Sequence, residues 1–292
     1  MKLIWKFNLL LLAIFVLGFV VAGLVSYRVL QANAREEIVQ NARLMMEAAL
    51  SSRTYTTTQV KPLLDTQLKY VFLPQTVPAY AATEVFNEMR KKHPDYGYKE
   101  ATLNPTNPRD RASDWEADIV NVFRQSAQTT EIVGERDTPT GRTLYLARPI
   151  PVSSASCLLC HSTIETAPKT MVDLYGPANG FGWKMNEVIG AQVVSVPMSV
   201  PIERANETFR TFMLSLAGVF IVTFLLLDAM LHVMVIRRVT RLSKAADQVS
   251  LGQMDASEFK SRSRDEIGVL TEAIGRMKTS LVQAMKMLDS GT

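Results

Sequence analysis

The stretch 211–238, TFMLSLAGVFIVTFLLLDAMLHVMVIRR, decides how this chain is organised. From Thr211 to Ile236 its only ionisable side chains are Asp228 and His232, and it closes on Arg237-Arg238. An apolar run of that length is enough to cross the hydrocarbon core of a bilayer. A second run, Phe7 to Tyr27, carries no charge and follows Lys2 and Lys6. Basic residues on the outer flank of each run put both termini in the cytoplasm. The roughly 180 residues between the runs then lie on the far side of the membrane, in a periplasm-like compartment of a bacterial inner membrane. Ala32-Asn33-Ala34 imitates a signal-peptide cleavage site, but the apolar run exceeds a signal h-region and continues into helical-looking sequence, so a retained anchor is expected. Asp228 and His232, four apart on one face of the second span, read as snorkelling or dimer-contact residues.

The composition agrees. Of 292 residues 47% are hydrophobic, and the excess sits in the two runs. The formal charge of +4 is unevenly placed: Tyr27 to Thr208 holds 19 basic and 20 acidic residues, whereas Val233 onward holds 10 and 7. Basicity therefore marks the membrane flanks, and no cluster of basic and aromatic residues argues for nucleic acid. Two cysteines, Cys157 and Cys160, exclude a disulfide framework and a four-thiolate metal site within one chain.

Between the spans the patterning predicts an α+β module. A long helix continues from the first span to about Leu64, and a second runs from Ala79 to Lys92. A turn-rich loop at Asn104 to Pro108 precedes a third helix, Trp115 to Ser126. Strands follow at Glu131 to Glu135, Arg142 to Ile150 and Gly190 to Met198, the last running towards the second span. A leading helix, a mixed core and a final strand returning to the membrane describe a PAS-like or Cache-like sensor module. The expected division is 1–30 first span, 31–208 outer domain, 209–236 second span and 237–292 cytoplasmic domain.

In the tail, Val235, Val239, Leu242, Ala246 and Val249 form one heptad seam. Ile267, Leu270, Ile274, Met277, Leu281, Ala284 and Leu288 form another, and a connector with Gly252 and Phe259 joins them. Two helices this short cannot cover both seams alone; two chains side by side can, as a four-helix bundle in a homodimer. Arg237-Arg238, Leu242, Ala245-Ala246, the Gly252 turn and Asp265-Glu266-Ile267-Gly268 resemble the HAMP domain, with Thr240 standing where many members carry proline.

Cys157-Leu158-Leu159-Cys160-His161 is the CxxCH pattern of c-type haem attachment. Two thiols three positions apart reach both vinyl groups of one porphyrin, and the adjacent histidine gives its imidazole to the iron. The motif lies in the outer compartment, in what reads as a loop after a strand, with no other cysteine for a disulfide. A thioredoxin-like pair lacks its βαβ context. A zinc site would have to recruit ligands from elsewhere. Met45, Met46, Met185 and His93 are the candidates for a sixth iron ligand, beside an open or water-filled position; thiolate is excluded because both cysteines are used. Arg53, Arg142 and Arg148 are candidates for pairing with haem propionates, and Tyr55 is taken with Arg53 as a haem-contact residue.

The outer region resembles a bacterial family, cyanobacteria included, of single-haem, PAS-like c-type sensor domains held between two spans. The resemblance rests on Arg53-Thr54-Tyr55, Lys61-Pro62-Leu63-Leu64, Phe72-Leu73-Pro74-Gln75, Asn104-Pro105, Asn107-Pro108, Asp114-Trp115-Glu116, Ala147-Arg148-Pro149-Ile150, the CxxCH and Gly180-Phe181-Gly182-Trp183. It implies one covalent haem c and a signalling role. The expectation is a non-enzymatic dimeric haem sensor of redox state or a diatomic gas. With no kinase, cyclase or methyl-accepting sequence after the second tail helix, output is expected to pass to a separate cytoplasmic partner. The rival is a membrane-anchored monohaem electron carrier, which would need no HAMP bundle.

Overall fold

The computed structural model describes residues 3–126, 128–253 and 265–289, which fall into two compact units, Tyr27–Phe209 and the remainder. Helix α1 (Leu3–Tyr55) passes from one unit into the other without a break. The first proline of the chain is Pro62, so nothing earlier removes a helix hydrogen bond. The helix loosens just before that proline. Thr56, Thr57 and Thr58 each donate their hydroxyl to the carbonyl four residues back, at 2.8, 2.9 and 2.9 Å. Thr56–Val60 widens into a π-turn, Lys61–Leu64 tightens into a 3₁₀ turn, and α2 (Asp65–Leu68) ends the run.

The α+β expectation holds. The Tyr27–Phe209 unit contains α3 (Pro78–Arg90), β1 (Gly97–Thr102), α4 (Asp114–Gln125), β2 (Ile132–Thr138), β3 (Gly141–Pro151), α5 (Ala155–His161), α6 (Lys169–Tyr175) and β4 (Val188–Pro197). The strands form one antiparallel sheet in the order β1-β4-β3-β2. The first two predicted strands pair as a hairpin, β2–β3, its turn closed by Gly141 at φ +115°. Strand β1 was not anticipated: its Gly-Tyr-Lys-Glu-Ala-Thr sequence lacks the β-branched alternation of a strand, and Glu100 is buried through partners far along the chain.

The sheet is the middle of three layers. Ile38, Ala42, Met46 and Ala49 of α1, with Ala82 and Phe86 of α3, pack on the face carrying Tyr98, Leu144, Leu146, Val194 and Val196. Ile119, Val120 and Phe123 of α4 cover the other face at Ala101, Ala147, Ala191 and Val193. Strand β4 is thus buried on both sides, as a central strand must be. Helix α1 is also tied to the sheet by charge: Arg35 to Glu135, Arg43 to Glu131, Glu47 to Arg148 and Arg53 to Glu100.

In the other unit, α7 (Ser199–Leu231) continues through a π-turn, His232–Ile236, into α8 (Arg237–Ser250), and α9 is Glu266–Asp289. Among the described residues two helical stretches, Ile4–Leu68 and Ser199–Ser250, are long and apolar enough to cross a membrane. Phe15 stacks on Phe220 with centroids 5.1 Å apart. Asp228, read as a snorkelling or dimer-contact residue, accepts a 2.8 Å hydrogen bond from the Asn8 amide of its own chain. Phe259 of the connector and the side chain of Leu288 lie outside the described residues.

Candidate functional site

The CxxCH sequence stands on α5, a helix, not in the loop expected from its serines. Ser154 caps that helix by accepting the Ser156 N–H at 3.2 Å, so the serines start the helix. The consequence is favourable: positions three apart share one helical face, so Cys157 and Cys160 point the same way. Both thiols are free and half-buried. Burial pushes the Cys160 thiol up, against the pull of Lys61.

His161, at the end of α5, is held from behind. Its Nδ1 lies 2.8 Å from the Gly180 carbonyl oxygen. A carbonyl only accepts, so Nδ1 carries the proton and Nε2 keeps its lone pair. Burial lowers the imidazole pKa, the Gly180 carbonyl opposing it, which favours the neutral ring. The Trp183 indole stacks on that ring with centroids 3.8 Å apart at 15°. Two backbone bonds clamp the same loop to α5, Trp183 N–H to the His161 carbonyl at 3.1 Å and Gly182 N–H to the Ser162 carbonyl at 2.9 Å. The Asn104 side chain accepts from Gly180 N–H at 3.2 Å and donates to the Phe181 carbonyl at 3.3 Å. Gly180 sits at φ +87°, and a Cβ there would stand 2.1 Å from Thr106 Oγ1, so only glycine lets this loop reach the histidine.

The donor set fits a covalently held haem. Two thiols on one face are adjacent to a neutral imidazole whose outward nitrogen is unprotonated and whose inward nitrogen is fixed by a backbone carbonyl, the second-sphere arrangement of a metal-ligating histidine. Among the described residues no three His, Cys, Asp or Glu side chains converge into a metal cage.

Of the other residues singled out by sequence, Arg53 has its pKa raised: burial works against its charge, and the Glu100 carboxylate, with smaller contributions from Tyr98 and Cys157, outweighs that. It is also bonded to the buried Glu100 carboxylate. Tyr55 is exposed. Arg142 pairs with Glu135 at 2.8 Å, and Arg148 with Glu47 at 2.6 Å and Glu131 at 3.1 Å. Met46 is fully buried between α1 and the sheet, and Met45 packs beside that core. Met185 is exposed, as is His93, which meets Tyr96 edge-on at 5.9 Å. Sequence reading gave no individual role to Asn104, Thr106, Gly180 or Trp183. The legible signal was the pair of glycines around an aromatic in Gly180-Phe181-Gly182-Trp183, a turn that brings side chains close to a neighbouring element.

No curated protein matches the chain. Among solved structures, the crystal structure of the cyanobacterial heme-protein Tll0287 is 16% identical with a TM-score of 0.44, covering 55% of this chain and 95% of that one. The HAMP domain model matches residues 231–283, so the tail is a HAMP domain, a module of signal transduction. The Tll0287-like model matches residues 31–197, more than half of the length, and the chain belongs to that family.

Proposed function

We propose that this chain is a transmembrane haem sensor. One haem c is attached through Cys157 and Cys160, with His161 as axial ligand, in a PAS-like domain on the periplasmic side of a bacterial inner membrane. The observation that carries the reading is the preset His161 ring, stacked by Trp183 and bonded at Nδ1 to Gly180, which leaves Nε2 free. The name of the Tll0287 structure supports the cofactor class. Bound there, a haem would supply a one-electron couple and a site for a diatomic ligand.

The protein's own part is mechanical and non-enzymatic. Helix α5 presents the thiols, and the 180–183 loop fixes the imidazole plane. The last turn of α1 carries Arg53 and runs into the π-turn at Thr56–Val60, with Lys61 following. Of the sixth-ligand candidates, Met46 would have to leave its core between α1 and the sheet to serve, whereas Met185 and His93 are already exposed. A change of haem state that alters the preferred position of these elements biases the HAMP helices of a homodimer, which pass the signal to a separate cytoplasmic protein.

The test is an absorption spectrum of the purified chain, oxidised, reduced and exposed to CO, beside a haem-stained denaturing gel. Cross-linking through a cysteine at Leu242 is then compared in the oxidised and reduced states. Haem that stays on the polypeptide and cross-linking that follows haem state are expected. Haem extracted by acid-acetone sinks the attachment. Attached haem whose potential ignores deletion of residues 236–292, with cross-linking blind to haem state, hands the reading to a membrane-anchored electron carrier.

A further inference from the structure

Arg53, a candidate propionate partner, is paired with Glu100, to which the haem reading gives no task. Glu100 of β1 is almost wholly buried and bonded to Arg53, at the last turn of α1. Its other carboxylate oxygen accepts from the Tyr98 hydroxyl at 2.7 Å, and that hydroxyl in turn accepts from the Gln192 side-chain amide at 3.0 Å. Gln192 belongs to β4 and stands opposite Glu100 in the sheet register. The chain of four side chains therefore begins on the helix that emerges from the first span. It ends on the strand that leads, through Ser199, into the helix of the second. Every link is directional, the Tyr98–Glu100 and Gln192–Tyr98 bonds are buried and the Arg53–Glu100 pair is partly so, and in that interior a change at Glu100 passes along the bonds.

The charges on this strut are well defined. Burial works against the Arg53 cation, and the Glu100 carboxylate more than offsets it. Burial and the same carboxylate hold the Tyr98 phenol far above its ordinary pKa, so it remains a neutral donor. A hydrophobic pair of equal volume would pack the same space without desolvating two charges.

We infer that Arg53–Glu100–Tyr98–Gln192 is a coupling strut, with the Arg53–Glu100 pair responding to the charge of the iron and Tyr98 and Gln192 carrying that response to β4. The inference rests on the haem reading above. Oxidation adds a positive charge near Arg53 and strengthens the case for Glu100 to turn towards the haem side; reduction relaxes it. Tyr98 and Gln192, bonded to Glu100 in series, follow.

The full-length chain in detergent carries the test, with haem midpoint potential and Leu242→Cys cross-linking as readouts. Glu100→Gln leaves the Arg53 cation unbalanced and raises the potential, since net positive charge favours the reduced iron. Arg53→Gln leaves the carboxylate unbalanced and lowers it. Each shifts the oxidised-to-reduced ratio at fixed potential by roughly tenfold, the order of effect of one unbalanced charge at an effective dielectric near 20. The double variant returns to the wild-type potential. Tyr98→Phe keeps both charges, and so the potential, but cuts the difference in cross-linking between oxidised and reduced protein to less than half. Single variants that move the potential in the same direction, or not at all, overturn the strut, as does Tyr98→Phe with a full wild-type difference. A wild type without attached haem, or with attached haem and cross-linking indifferent to its state, sinks the sensor reading and the strut together. Attached haem and state-dependent cross-linking in the wild type, with failure in the variants, sinks the strut alone.

Discussion

The Tyr27–Phe209 unit and the helices α8 and α9 face the same physical demand, to cover apolar side chains, and meet it differently. In the first, Ile38, Ala42 and Met46 of α1 are fully buried against Leu144, Leu146 and Val194 of the same chain. In the second, Leu242 and Val249 are covered, but Leu270, Met277 and Leu281 of α9 remain 46%, 53% and 42% exposed. Those three belong to one heptad seam, and an exposed seam of this kind calls for a partner surface. A unit complete in itself can hold a side-chain ring in one place, as the 180–183 loop holds His161. A pair of helices that is incomplete alone can exist in more than one packing.

The difference is sharpest for attachment, the largest effect expected. Cys157→Ala with Cys160→Ala should remove all haem stain from the polypeptide on a denaturing gel while leaving the chains paired at Leu242, with a cross-linking yield that no longer responds to redox state. Loss of both together would mean that the tail depends on the outer domain for its packing.

Next in size is the cost of truncating each core. Met46→Ala opens a cavity in a close-packed layer and should destabilise the outer unit by about 2–5 kcal/mol in denaturant titrations of the solubilised chain. Met277→Ala, at an exposed position, should change that stability by less than about 0.5 kcal/mol and weaken only chain pairing. Equal costs would erase the contrast. The pairing itself is checked with single cysteines: Leu242 and Ile274, both on the seams, should cross-link far better than exposed Lys244. Indifferent cross-linking would argue against a parallel bundle.

How much of this was legible in the sequence follows the range of the interactions. The helices Pro78–Arg90 and Asp114–Gln125 and the hairpin β2–β3 rest on local caps, turns and periodicity, and were predicted within a few residues. Strand β1 was invisible because Glu100 is buried through Arg53, 47 positions earlier, and Gln192, on the opposite strand. The CxxCH motif was plain from spacing alone. The loop that fixes its histidine was not, because Gly180 reaches His161 and Asn104 reaches Gly180 only after folding, across 19 and 76 positions. Serines before the motif pointed to a loop, whereas one of them is the cap that begins a helix. The Asn8 amide that donates to Asp228 was likewise out of view, 220 positions away.

The smallest effect concerns acid. Asp110, half-buried at the end of the Pro108–Asp110 turn, has its pKa pushed up to about 6, first by burial and then by the like charges of Glu100 and Glu84. Arg109, 3.7 Å away, and Lys99 only partly offset this. A carboxyl raised in the folded state binds a proton there more tightly than in the unfolded chain, whose carboxyl titrates near its ordinary value of about 4. Between those two values the folded chain holds more protons, so stability falls as pH rises from about 4 through about 6 and is flat beyond. The group is partly solvated, so the loss is on the order of 1 kcal/mol. Asp110→Asn should remove this part of the slope and leave the protein slightly more stable at neutral pH. Thermal unfolding of the outer unit across that pH range, wild type against Asp110→Asn, decides it. An unchanged slope in the variant would place the titrating group elsewhere, and a matching slope in seam cross-linking would show that the self-contained unit and the incomplete one are not electrostatically distinct.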